Sequence, residues 1–331
     1  MAASPLARFE NRPAARDIVK NSRNGADETR NKSPSLAISE VRRDLLAWYR
    51  SHGRRLPWRE RVDPYRVLVS EIMLQQTQVE RVVPKFEAFL ARFPTLAALA
   101  SAPVAEAVRL WQGLGYNRRA VRLHALARAV AERHDGQIPR TTEELLALPG
   151  VGSYTAAALR AFAFNDDDAP VDTNVRRVVH RIAFGLEHPP RVDERSLARL
   201  AVTLAAPGEG RAWSSAMMDL GATICTARAP KCLVCPLRAH CLAAPIDPAA
   251  LQEAARKHAR ARGPQARLKF EETTRYARGR IVDHLRALPH GASASVAQLC
   301  DLLGRTDVSA LVDGLQRDGL AAVEGGRVRL P

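Results

Sequence analysis

The sequence predicts a mainly helical protein that ends in a small unit of three helices and a hairpin, and three observations carry this reading. Apolar residues recur three and four apart from Ala37 to about Ala244, no convincing run of alternating apolar and polar residues interrupts them, and Gly325-Gly326 falls between two short apolar runs near the C-terminus. The helical period is clearest in VRRDLLAWYRSH, VPKFEAFLARF, AVRLHALARAVAERH and TAAALRAFAF, and Pro94, Pro103, Gly136, Pro139 and Pro149 punctuate the helix ends. Residues 1–36, rich in Ala, Arg, Asn, Asp and Ser, hold no sustained period and read as a disordered basic tail. No repeat at a solenoid period occurs.

From Pro245 to Phe270 the chain is basic and its helical pattern stops at Gly263-Pro264, so this stretch reads as a linker holding one helix. Beyond it RYARGRIVDHLRALP, SVAQLCDLL and DVSALVDGLQRDGL form three helical patterns, and AAVEGGRVRLP a hairpin. That order resembles a winged helix, a module used both for nucleic acid and for protein contacts, and both uses remain open.

Fifty Lys and Arg against 35 Asp and Glu leave a formal charge of +15, which favours a polyanionic partner through release of phosphate counterions. The alternative is a solvated surface on an arginine-rich chain. Charges break every apolar stretch before the roughly 20 residues that a membrane span requires, and the N-terminus has no apolar signal core. The expectation is a cytoplasmic monomer, nucleoid-associated in a bacterium.

Four of the five cysteines, Cys225, Cys232, Cys235 and Cys241, fall in one segment with six, two and five residues between them. Four thiolates on a tight loop suit tetrahedral zinc or an iron–sulfur cube. Zinc usually takes two CxxC pairs, and only one is present. The spacing resembles the cluster loop of the endonuclease III superfamily, which implies a [4Fe-4S] cluster, structural or redox-active, with every sulfur engaged. Arg228, Lys231, Arg238 and His240 on the same loop would present positive charge to phosphate. Cys300 stands apart and reads as a small core residue.

LPGVGSYTAAALRAF reads as helix end, tight turn and helix start, with Gly150 and Gly152 allowing close backbone approach and the next helix aiming its N–H groups outward, a geometry that suits phosphate. Twenty residues past Gly152, Asp172 opens another helix in VDTNVRRVVHRI, where an N-cap is the commonest role. Upstream, PYRVLVSEIMLQQTQVERVV reads as one helical stretch with Leu68, Ile72, Val79 and Val83 as its buried stripe and Glu71 beside it. A carboxylate against a core face favours its protonated form, as a general acid must; taken alone, a solvated helix residue is the commoner reading.

SEIMLQQTQV, WQGLGY, LPGVGSYT, VDTNV and the cysteine loop occur in the order and separation found in the adenine DNA glycosylases that act on A mispaired with 8-oxoguanine. The match covers about residues 40 to 244, nearly two-thirds of the chain. The resemblance implies the two-lobed helix-hairpin-helix DNA glycosylase fold: residues 37–62 with 171–244 as the cluster-bearing lobe, 63–170 as the hairpin lobe, 245–270 as linker and 271–331 as the winged-helix-like domain. It implies that Glu71 is the general acid that protonates adenine N7 and then activates water. Asp172 would stabilise, or transiently bond to, the sugar oxocarbenium ion, Asn174 would orient Asp172, and Tyr154 would line the pocket. Gln75 and Gln76 resemble the wedge and partner-strand contacts, and Tyr116 the intercalating aromatic, of enzymes that flip a base from duplex DNA holding a mismatch.

Two positions depart from the family pattern: Asn117 stands where a second tyrosine is common, and Thr173 where glycine is. Nothing after Pro245 suggests the Nudix-like domain that the family often adds to check for 8-oxoguanine. Three other readings are carried. A lyase of the endonuclease III type would need an amine where Tyr154 stands. A thymine glycosylase for G·T mismatches tolerates that tyrosine, though Gln75-Gln76 favours adenine. A redox-sensing DNA-binding protein would bind without releasing a base.

Overall fold

The computed structural model describes residues 37–186, 193–261 and 269–331. The expected tail and the Gly263-Pro264 helix end lie outside them. The described residues divide into two compact units, one within residues 1–54 and 165–263 and the other within 55–164 and 264–331.

The first unit opens with α1 (Ile38–His52). The chain continues in the second unit with α2 (Pro57–Glu60), α3 (Pro64–Leu74), α4 (Val79–Arg92), α5 (Leu96–Ser101), α6 (Val104–Leu110), α7 (Arg118–Arg133), α8 (Thr142–Leu146) and α9 (Ser153–Ala158), which runs on into a π-turn at Leu159–Ala163. It returns to the first unit for α10 (Thr173–Phe184), α11 (Glu194–Leu204), α12 (Gly210–Thr223) and α13 (Pro248–Ala261). The second unit is completed by α14 (Thr274–Ala287), β1 (Ala294–Ser295), α15 (Val296–Leu303), α16 (Val308–Arg317), β2 (Ala322–Glu324) and β3 (Arg327–Arg329).

Local chemistry sets these boundaries. Asp63, Asp172, Asp193 and Thr273 cap α3, α10, α11 and α14 by accepting backbone N–H groups of the first turn, and Ser295 with Gln298 closes a reciprocal capping box on α15. The helical pattern expected to run to Ala244 stops at Thr223. Residues 224–247 form an irregular loop with two 3₁₀ turns, because Pro230 and Pro236 lack the N–H a helix needs.

The core of the first unit gathers Val41, Leu45, Val178, Val179, Leu200, Trp213 and Leu220. In the second, Phe86, Phe89, Trp111 and Leu123 belong to the same continuous core as Ile281, Leu285, Leu311 and Val328. Polar bonds reinforce that packing. Arg286 Nε donates to Val108 O at 2.9 Å and its Nη2 to Asn117 Oδ1 at 2.9 Å, while Arg109 donates to the carbonyls of Arg286 and Leu288. The C-terminal module has winged-helix order, its antiparallel sheet running β1-β3-β2. Gly325 and Gly326, both at positive φ, turn the hairpin; the two-residue β1 is an element that periodicity did not reveal. Among the described residues no helix is long and apolar enough to cross a membrane.

Candidate active site

Glu71 lies on α3 between core residues Leu68 and Ile72 and is only 7% exposed. Tyr154, in the first turn of α9, donates its phenol to Glu71 Oε2 at 3.1 Å. One turn after Glu71 the helix ends, and Gln76 takes a left-handed conformation with φ 55°. The single helix expected through Val83 is thus two. Val79 and Val83 lie half-buried on α4, whose buried face is Val82, Phe86, Phe89 and Leu90.

Arg119 explains the break. Its guanidinium donates to the carbonyls of Ile72, Met73, Gln75, Leu114 and Gly115 and to Thr77 Oγ1, at 2.6–3.1 Å. It thereby takes the carbonyls that a continuing α3 would have bonded to its own next turn. Burial pushes its pKa down to about 10, so the side chain stays charged at neutral pH. The same cation ties the Gln75–Thr77 turn to the turn at Leu114–Tyr116, where Tyr116 is also left-handed (φ 45°) and 39% exposed.

In the hairpin between α8 and α9, Leu148 and Val151 are buried and Gly150 has φ 81°. A methyl at Gly150 would also meet the Arg122 side chain at 3.1 Å. Gly152 is extended and sits at the N-cap of α9, with open space where a side chain would stand.

In the first unit Asp172 Oδ1 accepts from the backbone N–H of Asn174 (2.8 Å) and Val175 (2.7 Å), and Oδ2 from Asn174 Nδ2 (2.9 Å). Both oxygens are therefore fixed. Asn174 Oδ1 accepts from Arg177 Nη2 at 2.8 Å, and the buried Arg177 also donates to Gly221 O and Cys225 O, each at 2.7 Å. A continuous hydrogen-bonded chain so runs from Asp172 to the first cysteine of the loop. Gly221 on α12 makes room for it: a methyl there would sit 2.7 Å from Asn174 Cβ.

All four loop cysteines are half-buried. Burial raises the thiol of Cys235 to about 12 and that of Cys241 to about 11; Cys235 also feels the charge of the other three loop sulfurs, and Cys241 that of Cys225 and Cys232. Arg181, 2% exposed, lies 3.4 Å from Cys225 Sγ through Nη1 and anchors the loop through the carbonyls of Thr226 and Ala227. Among the described residues no three His, Cys, Asp or Glu side chains converge as tightly as one metal ion requires. Four thiols on one loop are the kind of donor set that a [4Fe-4S] cube takes, one thiolate to each iron. Of the basic residues on the loop, His240 is held by Asp44 at 2.9 Å, while Arg228, Lys231 and Arg238 are exposed.

Residues 69–201 match the family model of the HhH-GPD superfamily base excision DNA repair proteins. The adenine DNA glycosylase of Mycolicibacterium smegmatis is 47% identical over 62% of this chain and 69% of its own length. That of Mycobacterium tuberculosis is 42% identical over 83% of this chain and 85% of its own. The chain belongs to the adenine DNA glycosylase family. As a member it is a DNA N-glycosylase of base excision repair. A thermostable thymine-DNA glycosylase superposes with a TM-score of 0.58 at 33% identity, over 62% of this chain and 94% of that one. A non-covalent endonuclease III–DNA complex, at 22% identity and a TM-score of 0.53 over 68% of this chain and 99% of that one, shares the fold.

Two residues that serve this adenine DNA glycosylase family member's architecture escaped the sequence reading, Arg119 and Arg177. Both left a signal. Arg119 is four residues before Leu123, and Arg177 four before Arg181, each on the buried stripe of its helix where a cation must find internal acceptors.

Proposed function

We propose that the protein is a monofunctional glycosylase that hydrolyses the N-glycosidic bond of adenine mispaired with 8-oxoguanine or guanine in double-stranded DNA, acting as a cytoplasmic monomer. The observation that carries this reading is the hydrogen bond from Tyr154 to the buried Glu71. It puts a phenol, at the position where a lyase needs its amine, beside the carboxyl group assigned as general acid. An enzyme without that amine releases the base by hydrolysis rather than through a Schiff base.

In this reading Glu71 delivers a proton to adenine N7, so the base leaves neutral, and then accepts a proton from water. Asp172 supplies the negative charge that lowers the energy of the oxocarbenium ion, and its two bonds from Asn174 keep one oxygen pair aimed at a single place. A carboxylate already oriented by its neighbours loses no reorganisation energy when the sugar cation forms. Gln75, Gln76 and Tyr116 fill the space left by the extruded nucleotide, and Gly150 and Gly152 receive the backbone phosphate. Cys225, Cys232, Cys235 and Cys241 would hold a [4Fe-4S] cluster, which when bound supplies a fixed scaffold for the loop rather than an open site for substrate.

A second reading, release of thymine from G·T pairs, is supported by the 33% identity to the thymine-DNA glycosylase, against 42–47% to the mycobacterial adenine enzymes. One assay separates them. Duplexes holding A opposite 8-oxoguanine, A opposite G, T opposite G, or thymine glycol are incubated with wild type, Glu71→Gln and Asp172→Asn. Strand breaks at A that need alkali and vanish in both variants are the expected result. Cleavage at thymine glycol without alkali identifies a lyase, release of T a thymine glycosylase, and binding without release a sensor.

A further inference from the structure

We propose that Arg122 is the cation of the hairpin between α8 and α9, and that its guanidinium grips a backbone phosphate of the strand that carries the excised base. The proposal rests on the reading above that Gly150 and Gly152 receive phosphate. Arg122 belongs to α7, and its stem is laid along the hairpin turn: the place a β-carbon of Gly150 would take is 3.1 Å from Arg122 Cβ, 3.2 Å from its Cδ and 3.5 Å from its Cγ. Gly150 therefore serves two ends. Its φ of 81° admits the turn, and its missing side chain admits the arginine. A stem laid against one turn along three consecutive carbons has little freedom left, so the guanidinium beyond Cδ is positioned before any ligand arrives.

The hairpin needs a cation from elsewhere. From Thr141 to Leu159 the chain holds two glutamates, Glu143 and Glu144, and neither lysine nor arginine, so its own charge repels a phosphate. The arginines that bracket this stretch are engaged: Arg140 lies over the Phe164 ring, and Arg160 donates to Thr142 Oγ1 at 2.8 Å. On α7, Arg118 pairs with Asp318 at 3.3 Å, Arg119 gives its donors to internal carbonyls and Thr77, and Arg128 pairs with Glu132 at 3.2 Å. Arg122 is exposed, and among the described residues no carboxylate lies within ion-pair distance of it. A planar fork of N–H donors on a restrained stem, uncommitted within the protein, is suited to bidentate recognition of phosphate. The choice of strand follows from what stands beside the turn. Two residues after Gly152, Tyr154 donates to Glu71, so the hairpin borders the pocket of the extruded nucleotide, and the phosphate it holds is one next to that nucleotide.

The test uses the full-length protein and a duplex with a tetrahydrofuran abasic analogue opposite 8-oxoguanine, titrated by fluorescence anisotropy at several salt concentrations. Arg122→Met keeps an unbranched stem along Gly150 and deletes the charge. It is expected to bind about tenfold more weakly and to lower the slope of log affinity against log salt by about 0.9, the contribution of one duplex phosphate. Arg122→Lys should recover most of that slope, because it restores the point charge. Arg133→Ala removes the same charge about three turns further along α7 and should bind within about twofold of wild type. Methylphosphonates placed singly on either side of the abasic analogue locate the contact: at one of them wild type should lose about tenfold and Arg122→Met less than about twofold. Wild-type affinity and slope in Arg122→Met, an equal loss in Arg133→Ala, or losses that multiply at every methylphosphonate overturn the proposal. Wild type that releases no adenine from an A·8-oxoguanine duplex refutes the underlying function instead, so the two failures are told apart.

Discussion

Gly221→Ala tests the geometry around Asp172 without touching a charged or hydrogen-bonding side chain. The added methyl would lie 2.7 Å from Asn174 Cβ and 3.3 Å from its Cα, whereas carbon atoms pack at about 3.5–4.0 Å, so α10 and α12 must move apart by roughly 1 Å. Overpacking of this kind costs about 1–3 kcal/mol, and replacing a helical glycine by alanine returns about 1 kcal/mol, so the net loss is about 0–2 kcal/mol. The protein should therefore fold, with a melting temperature a few degrees lower. Catalysis has less tolerance. Asn174 supplies two of the three hydrogen bonds to Asp172, and a displacement near 1 Å at a reacting group can cost about 100-fold. Single-turnover release of adenine is expected to fall about 10- to 100-fold while circular dichroism and bound iron hold. A variant with wild-type rate, or one whose loss merely follows its folded fraction, would refute the argument that Asn174 must be held at this spacing.

Three further substitutions address the other contacts. Tyr154→Phe removes one neutral hydrogen bond to Glu71, about 0.5–1.5 kcal/mol, so single-turnover release should slow about 2- to 10-fold; an unchanged rate would show that the phenol does not act on Glu71. Arg177→Lys replaces a fork that reaches Asn174, Gly221 and Cys225 by a single ammonium, leaving at least one buried acceptor bare at about 1–3 kcal/mol. Thermal stability, excision rate and iron per chain should fall together, and full iron with full rate would show that the link carries nothing. For Arg119→Met, unfolding in denaturant should show a loss of several kcal/mol relative to wild type at neutral pH, from six bonds lost. With a folded pKa of about 10 against 12.5 unfolded, the unfolded chain binds this proton more tightly between those values. Wild-type stability relative to the variant should stay flat from about pH 6 to 9 and rise with pH above about 10; a slope near neutrality would contradict the assignment.

What could be read from the sequence is what local chemistry decides. The cap at Asp172, the tight turn at Gly150 and the Gly325-Gly326 turn each need only a few neighbouring residues, and the 3.6-residue period located α1, α7 and the three helices of the C-terminal module. The misreadings share another cause. Periodicity carried the helix through Gln75–Gln78 because nothing within the stretch forbids it; the break is imposed by Arg119, more than 40 residues away, and so is tertiary. The same holds for Arg286 and Asn117, whose bond spans 169 residues and seats the C-terminal module. In each case a buried arginine joins distant segments by its carbonyl or amide acceptors. A charge at a core-facing helical position is thus more informative than it looks: desolvation makes it untenable without several acceptors, so its presence implies that segments remote in sequence must come together there. Among the described residues that rule selects Arg119, Arg177, Arg181 and Arg286, buried arginines that organise the Gln76–Tyr116 turns, Asn174, the cysteine loop and the docking of α14.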